Sequence, residues 1–175
     1  MRNALASEIL TLLANGKVIR DVRVIEPINF DQLAEDEKFY QPIDIIDCHF
    51  HSLDAINIQF HELVTLKNSV IENSSFTFSY FLKGVSIEGC LFHGETDFQC
   101  GVHNQNGYCF TLRNSTFKEF VNFFDCKFEG PVEITDCKFE GGTNLLGNKI
   151  APYRVTFVIP PQIENNHGDL ELNGG

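Results

Sequence analysis

Between Val121 and Leu145 the apolar positions repeat as a phrase. Val121, Phe123, Cys126 and Phe128 return eleven residues later as Val132, Ile134, Cys137 and Phe139, and Thr143 and Leu145 open a third copy. The steps within the phrase are two, three, two and four. A 3.6-residue helical period does not generate them, and a plain strand alternation would not break every fifth or sixth residue. Each pair one residue apart points inward from an extended segment, and the chain turns a corner after each pair. Stacked turn on turn, such a chain makes an all-β solenoid.

The same spacing runs upstream. Ser74, Phe76, Ser79, Phe81, Val85, Ile87, Cys90, Phe92, Thr96 and Phe98 follow it, as do Ile43, Ile45, Cys48 and Phe50, and earlier Val22, Val24, Ile28 and Phe30. Between Asp54 and Ile71 two frames fit: either Ile58, Phe60, Val64, Leu66, Ser69 and Ile71 face inward, or Leu63, Thr65, Asn68 and Val70 do. Two stretches are too long for the rhythm and are expected as corner loops: Ala34 to Gln41, with Phe39 and Tyr40, and Gln99 to Cys109, with His103, Asn104, Gln105, Asn106 and Gly107. Stacking predicts Val132 over Phe110, Ile134 over Leu112, Cys137 over Ser115 and Phe139 over Phe117. Roughly five coils at a strand spacing of about 4.8 Å give a rod of about 25 Å.

Residues 3 to 15 carry a different period. Leu5, Ile9, Leu12 and Leu13 form one stripe, Asn3 stands as N-cap and Gly16 where a helix ends, so residues 1–16 are expected as a helical cap over the first coil. The β-helix then occupies 17–148. Residues 149–175 are expected as a terminal strand, Tyr153 to Ile159 closed by Pro160 and Pro161, followed by a loose tail after Gln162.

The phrases VNFFDCKFEGPVEITDCKFEG and VSIEGCLFHGETDF resemble the pentapeptide-repeat family, in its variant that alternates five- and six-residue repeats. The resemblance covers about residues 18 to 148 and implies a right-handed quadrilateral β-helix. On it, Ser79, Cys90, Ser115, Cys126 and Cys137 would fill the small inward slot, and Phe81, Phe92, Phe117, Phe128 and Phe139 the large one. Members of that family that inhibit or protect type II topoisomerases are acidic rods thought to mimic DNA.

Composition sharpens this picture. Seventeen Phe with no Trp and one Met suit one repeated slot that takes a phenyl ring. A net charge of −11 argues against direct nucleic-acid binding, which needs a basic surface. No apolar run is long enough to span a bilayer, and Glu8 interrupts the only stretch resembling a signal peptide. The chain therefore reads as cytoplasmic, with no membrane partner.

Candidate chemistry is sparse. Cys48, Cys90, Cys126 and Cys137 occupy small inward slots and lack zinc-site spacing, so they read as core filler. Cys100 and Cys109 flank the second loop, the one pair positioned for a disulfide. His49 and His51 are expected outside. Asp47, Asp125 and Asp136 each precede a small slot, a corner requirement rather than catalysis. No catalytic, cofactor-binding or metal-binding set is expected, and the chain reads as a non-enzyme. Two functions are carried forward. The first is a scaffold that binds a protein partner through its loops and outward aromatics: Phe39, Tyr40, His103, Asn104, Phe120 and Phe124, together with Phe78 and Tyr80. The second is a DNA mimic acting through Glu129, Glu133, Asp136 and Glu140, expected along one side of the rod. It draws on the fourteen acidic against six basic residues within 44–148. A second copy pairing through the C-terminal end of the solenoid is a further expected partner.

Overall fold

The computed structural model describes residues 1–149 and 152–174, so Ile150 and Ala151 in the expected terminal segment, and Gly175 at the end of the expected tail, lie outside the described residues. The chain is a parallel β-solenoid of about six turns with one short helix at its N-terminus. Its clearest face is a seven-stranded sheet of Ile19–Arg20, Ile43–Ile46, Val64–Lys67, Val85–Glu88, Phe110–Arg113, Val132–Thr135 and Gln162–Glu164. Each strand pairs in parallel with the next turn, Ile43 opposite Val64 and Val64 opposite Val85. An eleven-stranded sheet wraps two further sides, and short strands such as Gln59–Phe60 and Tyr80–Phe81 close the fourth. Seven levels rise about 29 Å at the usual spacing, one turn more than the expected five coils.

The expected inward positions are buried throughout. Val132 lies opposite Phe110, Ile134 opposite Leu112 and Phe139 opposite Phe117. The open register between Asp54 and Ile71 resolves to the first frame: Ile58, Phe60, Val64, Leu66, Ser69 and Ile71 are buried, whereas Leu63 is 42% exposed. Because strand spacing and ring stacking distance nearly coincide, the phenyl rings form columns. Phe76, Phe98 and Phe123 stack at 5.1 Å per step, and Phe92, Phe117 and Phe139 at 4.8 and 5.2 Å. Phe60 stacks on Phe81 in the same way, at 5.1 Å.

The corners explain the small slot. Asp21, Asp47, Asn68, Asn114, Asp136 and Asn165 adopt φ between +48° and +55°, and Gly89 fills the same column at +64°. Asp and Asn tolerate this left-handed conformation better than other side chains, which is why they recur there. The next residue turns inward and satisfies backbone left unpaired by the corner. Ser115 Oγ donates to the Arg113 carbonyl at 2.8 Å and accepts the Cys90 N–H at 3.1 Å. Ser69 does the same for Lys67 and Cys48. Cys137 Sγ donates to the Thr135 carbonyl at 3.4 Å, so a thiol serves where a hydroxyl would.

Four expectations are corrected. The helix spans Ala6–Ala14, not 3–15. Asn3 belongs to a strand, Arg2–Ala4, pairing with Val22–Val24, and the Glu26 carboxylate instead accepts the Ala6 N–H at 2.7 Å. Leu5 is exposed and Leu12 half-buried, while Ile9 and Leu13 are fully buried over the first turn, so the cap remains a cap on a narrower stripe. Gly16, at φ +60°, closes it as expected. Next, the first loop is shorter than Ala34 to Gln41: Lys38–Phe39 pairs with Gln59–Phe60, and the Phe39 ring packs edge-on between Phe30 and Phe60. The second loop protrudes only over residues 105–108, because Asn104 is fully buried. Finally, the segment after Gln162 is not loose. Gln162–Glu164 pairs with Val132–Thr135 and His167–Gly168 with Lys138–Phe139. Asn166 enters the small slot, accepting the Cys137 N–H at 2.9 Å and donating to the Ile134 carbonyl at 2.7 Å.

Candidate interaction surface

Two sets of residues compete for a functional role, and the register decides where each lies. The aromatic set gathers on the side closed by Gln59–Phe60 and Tyr80–Phe81. There Phe39, Phe60 and Phe81 align inward, which places Tyr40 beside His61 on the outside. The two rings stack at 4.5 Å, and Tyr40 is 55% exposed. Tyr80 lies over His103 at 4.3 Å. Phe78 occupies the left-handed corner leading into this side at φ +56°, with half of its surface exposed. A phenylalanine has no local reason to favour that conformation or that exposure. Two turns further along the same corner Phe124 packs beside Tyr153 at 5.9 Å. Phe120 is half-buried at a different corner, where its carbonyl accepts the Thr96 N–H, and does not join this strip.

Two expected contact residues are inside the molecule. Phe39 is a rung of the core. Asn104 donates its amide to the carbonyls of Tyr108 and Pro131 at 2.8 and 2.9 Å, holding the base of the second loop. The broken spacing around both marked an insertion correctly but concealed which residues turned back in. Conversely, His61 was not singled out by its sequence setting. Its role under Tyr40 follows only from the pairing of Lys38–Phe39 with Gln59–Phe60.

The acidic set is dispersed and largely neutralised. Glu129 follows the strand Lys127–Phe128, Glu133 lies in the seven-stranded sheet and Glu140 follows Lys138–Phe139 in the eleven-stranded one. They therefore surround one turn instead of lining one side, which corrects the expectation. Glu133 is held bidentately by Arg113, Glu140 lies 2.8 Å from Lys118, and Glu129 lies 2.5 Å from Lys127. The Lys127 contact holds the Glu129 carboxyl below its ordinary range. Of the four, Asp136 alone makes no ion pair among the described residues, and its backbone has the corner conformation. Similar pairs, Lys67 with Glu88 and Lys83 with Glu62, tie successive turns together.

The remaining candidates lack a reactive arrangement. His49 is half-buried with Nε2 2.6 Å from Glu72, and His51 is exposed; with Arg23, Asn73 and His93 they line an open concavity of about 460 Å³. Among the described residues no three His, Cys, Asp or Glu are arranged to hold a metal ion. All six cysteines are free, Cys100 and Cys109 included. Burial pushes the thiols of Cys90 and Cys137 up to about 11, and that of Cys126 higher, so these sulfurs stay protonated and poorly nucleophilic. Burial lowers the pKa of His103, with Glu129 opposing it. No helix among the described residues is long and apolar enough to cross a membrane. A scan against protein-family models, a search of curated proteins and a search of solved structures each returned no match.

Proposed function

We propose that this chain is a non-enzymatic scaffold of pentapeptide-repeat type that binds a protein partner through its outward aromatic strip. The observation that carries this reading is the exposure of Tyr40 and Phe78 beside Tyr80 on one side of a rod whose other phenylalanines are mostly buried. Exposed aromatics on a rigid sheet lose little conformational entropy on binding and are frequent anchors of interfaces. The free thiols fit a reducing, cytoplasmic setting.

The alternative, a DNA mimic that binds a type II topoisomerase, has weaker support. A mimic needs carboxylates that a basic partner can reach in a row, and here Glu129, Glu133 and Glu140 already face Lys127, Arg113 and Lys118. Affinity capture from cells that make the protein tests the choice, using a Tyr40→Ala, Phe78→Ala, Tyr80→Ala variant and a Glu129→Gln, Glu133→Gln, Asp136→Asn, Glu140→Gln variant. The proposal expects the aromatic variant to lose the partner and the carboxylate variant to keep it, with little change between low and high salt. Loss on carboxylate replacement, with steep weakening by salt and inhibition of topoisomerase supercoiling by the native chain, would instead establish mimicry.

A further inference from the structure

The sequence contains three Asn–Gly steps, at Asn15–Gly16, Asn106–Gly107 and Asn173–Gly174. Such steps can cyclise, because glycine leaves the attacking backbone nitrogen unhindered, and the fold treats the three differently. At the first, Asn15 Nδ2 donates to the Thr11 carbonyl at 2.7 Å and the Gly16 N–H to the Leu13 carbonyl at 2.9 Å. At the third, Asn173 Oδ1 accepts the Asn148 N–H at 2.9 Å and the Gly174 N–H donates to Asn148 Oδ1 at 3.1 Å. Both groups that must react are thus tied at each of these sites.

Asn106–Gly107 is the exception. It forms the tip of a turn closed by the Tyr108 N–H on the Gln105 carbonyl at 3.0 Å, with Gly107 at φ +90°. Both residues are exposed, and a methyl group placed on Gly107 would meet nothing within 4 Å. Among the described residues neither the Asn106 amide nor the Gly107 N–H has a hydrogen-bond partner. Neither reacting group therefore has to break a hydrogen bond of its own to approach the other, while Asn104 anchors the base of the loop.

We infer that Asn106 is a site of spontaneous deamidation, the one Asn–Gly step of the three that the folded chain leaves free to react. The Gly107 nitrogen attacks Asn106 Cγ; the new N–C bond forms as the Cγ–Nδ2 bond breaks, and the amide leaves as ammonia with the Gly107 proton. Water then opens the cyclic imide at either carbonyl, giving aspartate or isoaspartate. The sum is amide plus water to carboxylic acid plus ammonia, with no oxidant or cofactor. The product adds a carboxylate to the loop and, as isoaspartate, one methylene to its backbone. The inference is independent of the partner reading.

Peptide mapping by mass spectrometry during incubation of the whole protein at mildly alkaline pH tests it, in native buffer and in urea. In native buffer Asn106 is expected to convert on the order of tenfold faster than Asn15 or Asn173, the factor that corresponds to about 1.4 kcal/mol, one net hydrogen bond. In urea the three rates are expected to converge. A native rate at Asn106 no faster than the other two would overturn the inference. So would a gap that persists in urea, since the order would then come from neighbouring sequence and not from the fold.

Discussion

A phenyl ring in this solenoid contributes through the ring above and the ring below, so its removal leaves a gap the parallel strands cannot close. Phe128 is fully buried and stacks on Phe157 at 5.0 Å. Phe128→Ala is expected to cost about 3–5 kcal/mol in denaturant unfolding. Lys127→Ala, one position away and outward, removes only a surface pair with Glu129 and is expected to lie within about 0.5 kcal/mol of the native chain. Comparable losses for the two would contradict the register. Ser115→Ala removes the acceptor for the Cys90 N–H and is expected to cost about 1–3 kcal/mol. The buried thiols add a pH dependence whose sign is fixed. With folded values for Cys90 and Cys137 raised from 9.0 to about 11, the unfolded chain releases these protons first as pH rises. Their contribution is complete below about 9 and is lost through about 11, so the melting temperature is expected to fall across that window. A melting temperature that rises there would be inconsistent with buried, neutral sulfur.

At the level of elements, the corners and the cap hold the coils in register. The column of Asp and Asn with positive φ accepts glycine already at Gly89, so Asp136→Gly is expected to fold like the native chain. A β-branched residue there pays the left-handed penalty, and Asp136→Val is expected to lose about 1–2 kcal/mol by thermal or denaturant melting. Deleting residues 1–15 would remove the strand Arg2–Ala4 and uncover the apolar surface beneath Ile9 and Leu13. Aggregation or end-to-end association by light scattering is expected, and an unchanged monomer would show that the helix is not a cap. Most of this order was legible in the chain, because the inward residues from Val22 to Leu145 fall in pairs one residue apart, with a step of three or four to the next pair where no insertion intervenes. What escaped reading had specific causes. Asn3 looked like an N-cap because caps are usually local, whereas the acceptor comes from Glu26. The segment after Gln162 looked loose because its inward residues are Ile163, Asn166 and Gly168 rather than phenylalanines. Pairing with the preceding turn, not its own apolarity, orders it.

For the whole molecule, net charge says less about a binding surface than the placement of the charges does, because charge is a sum and recognition depends on arrangement. The −11 balance suggested an acidic rod, yet cross-turn pairs such as Arg113–Glu133 and Lys118–Glu140 use several of the carboxylates to join neighbouring coils. The aromatic strip was half legible: Tyr40, Phe78 and Tyr80 stood out of phase in the repeat, but Phe39 and Asn104 were indistinguishable from them until strand pairing turned Phe39 inward and hydrogen bonds to the Tyr108 and Pro131 carbonyls held Asn104 inside. Site-specific photocrosslinking in cells that make the protein compares the two surfaces most directly, with one photoreactive residue at position 80 and, in a separate variant, at position 133. The account predicts a discrete protein adduct from position 80 and none from position 133. An adduct from position 133 with none from position 80 would contradict it.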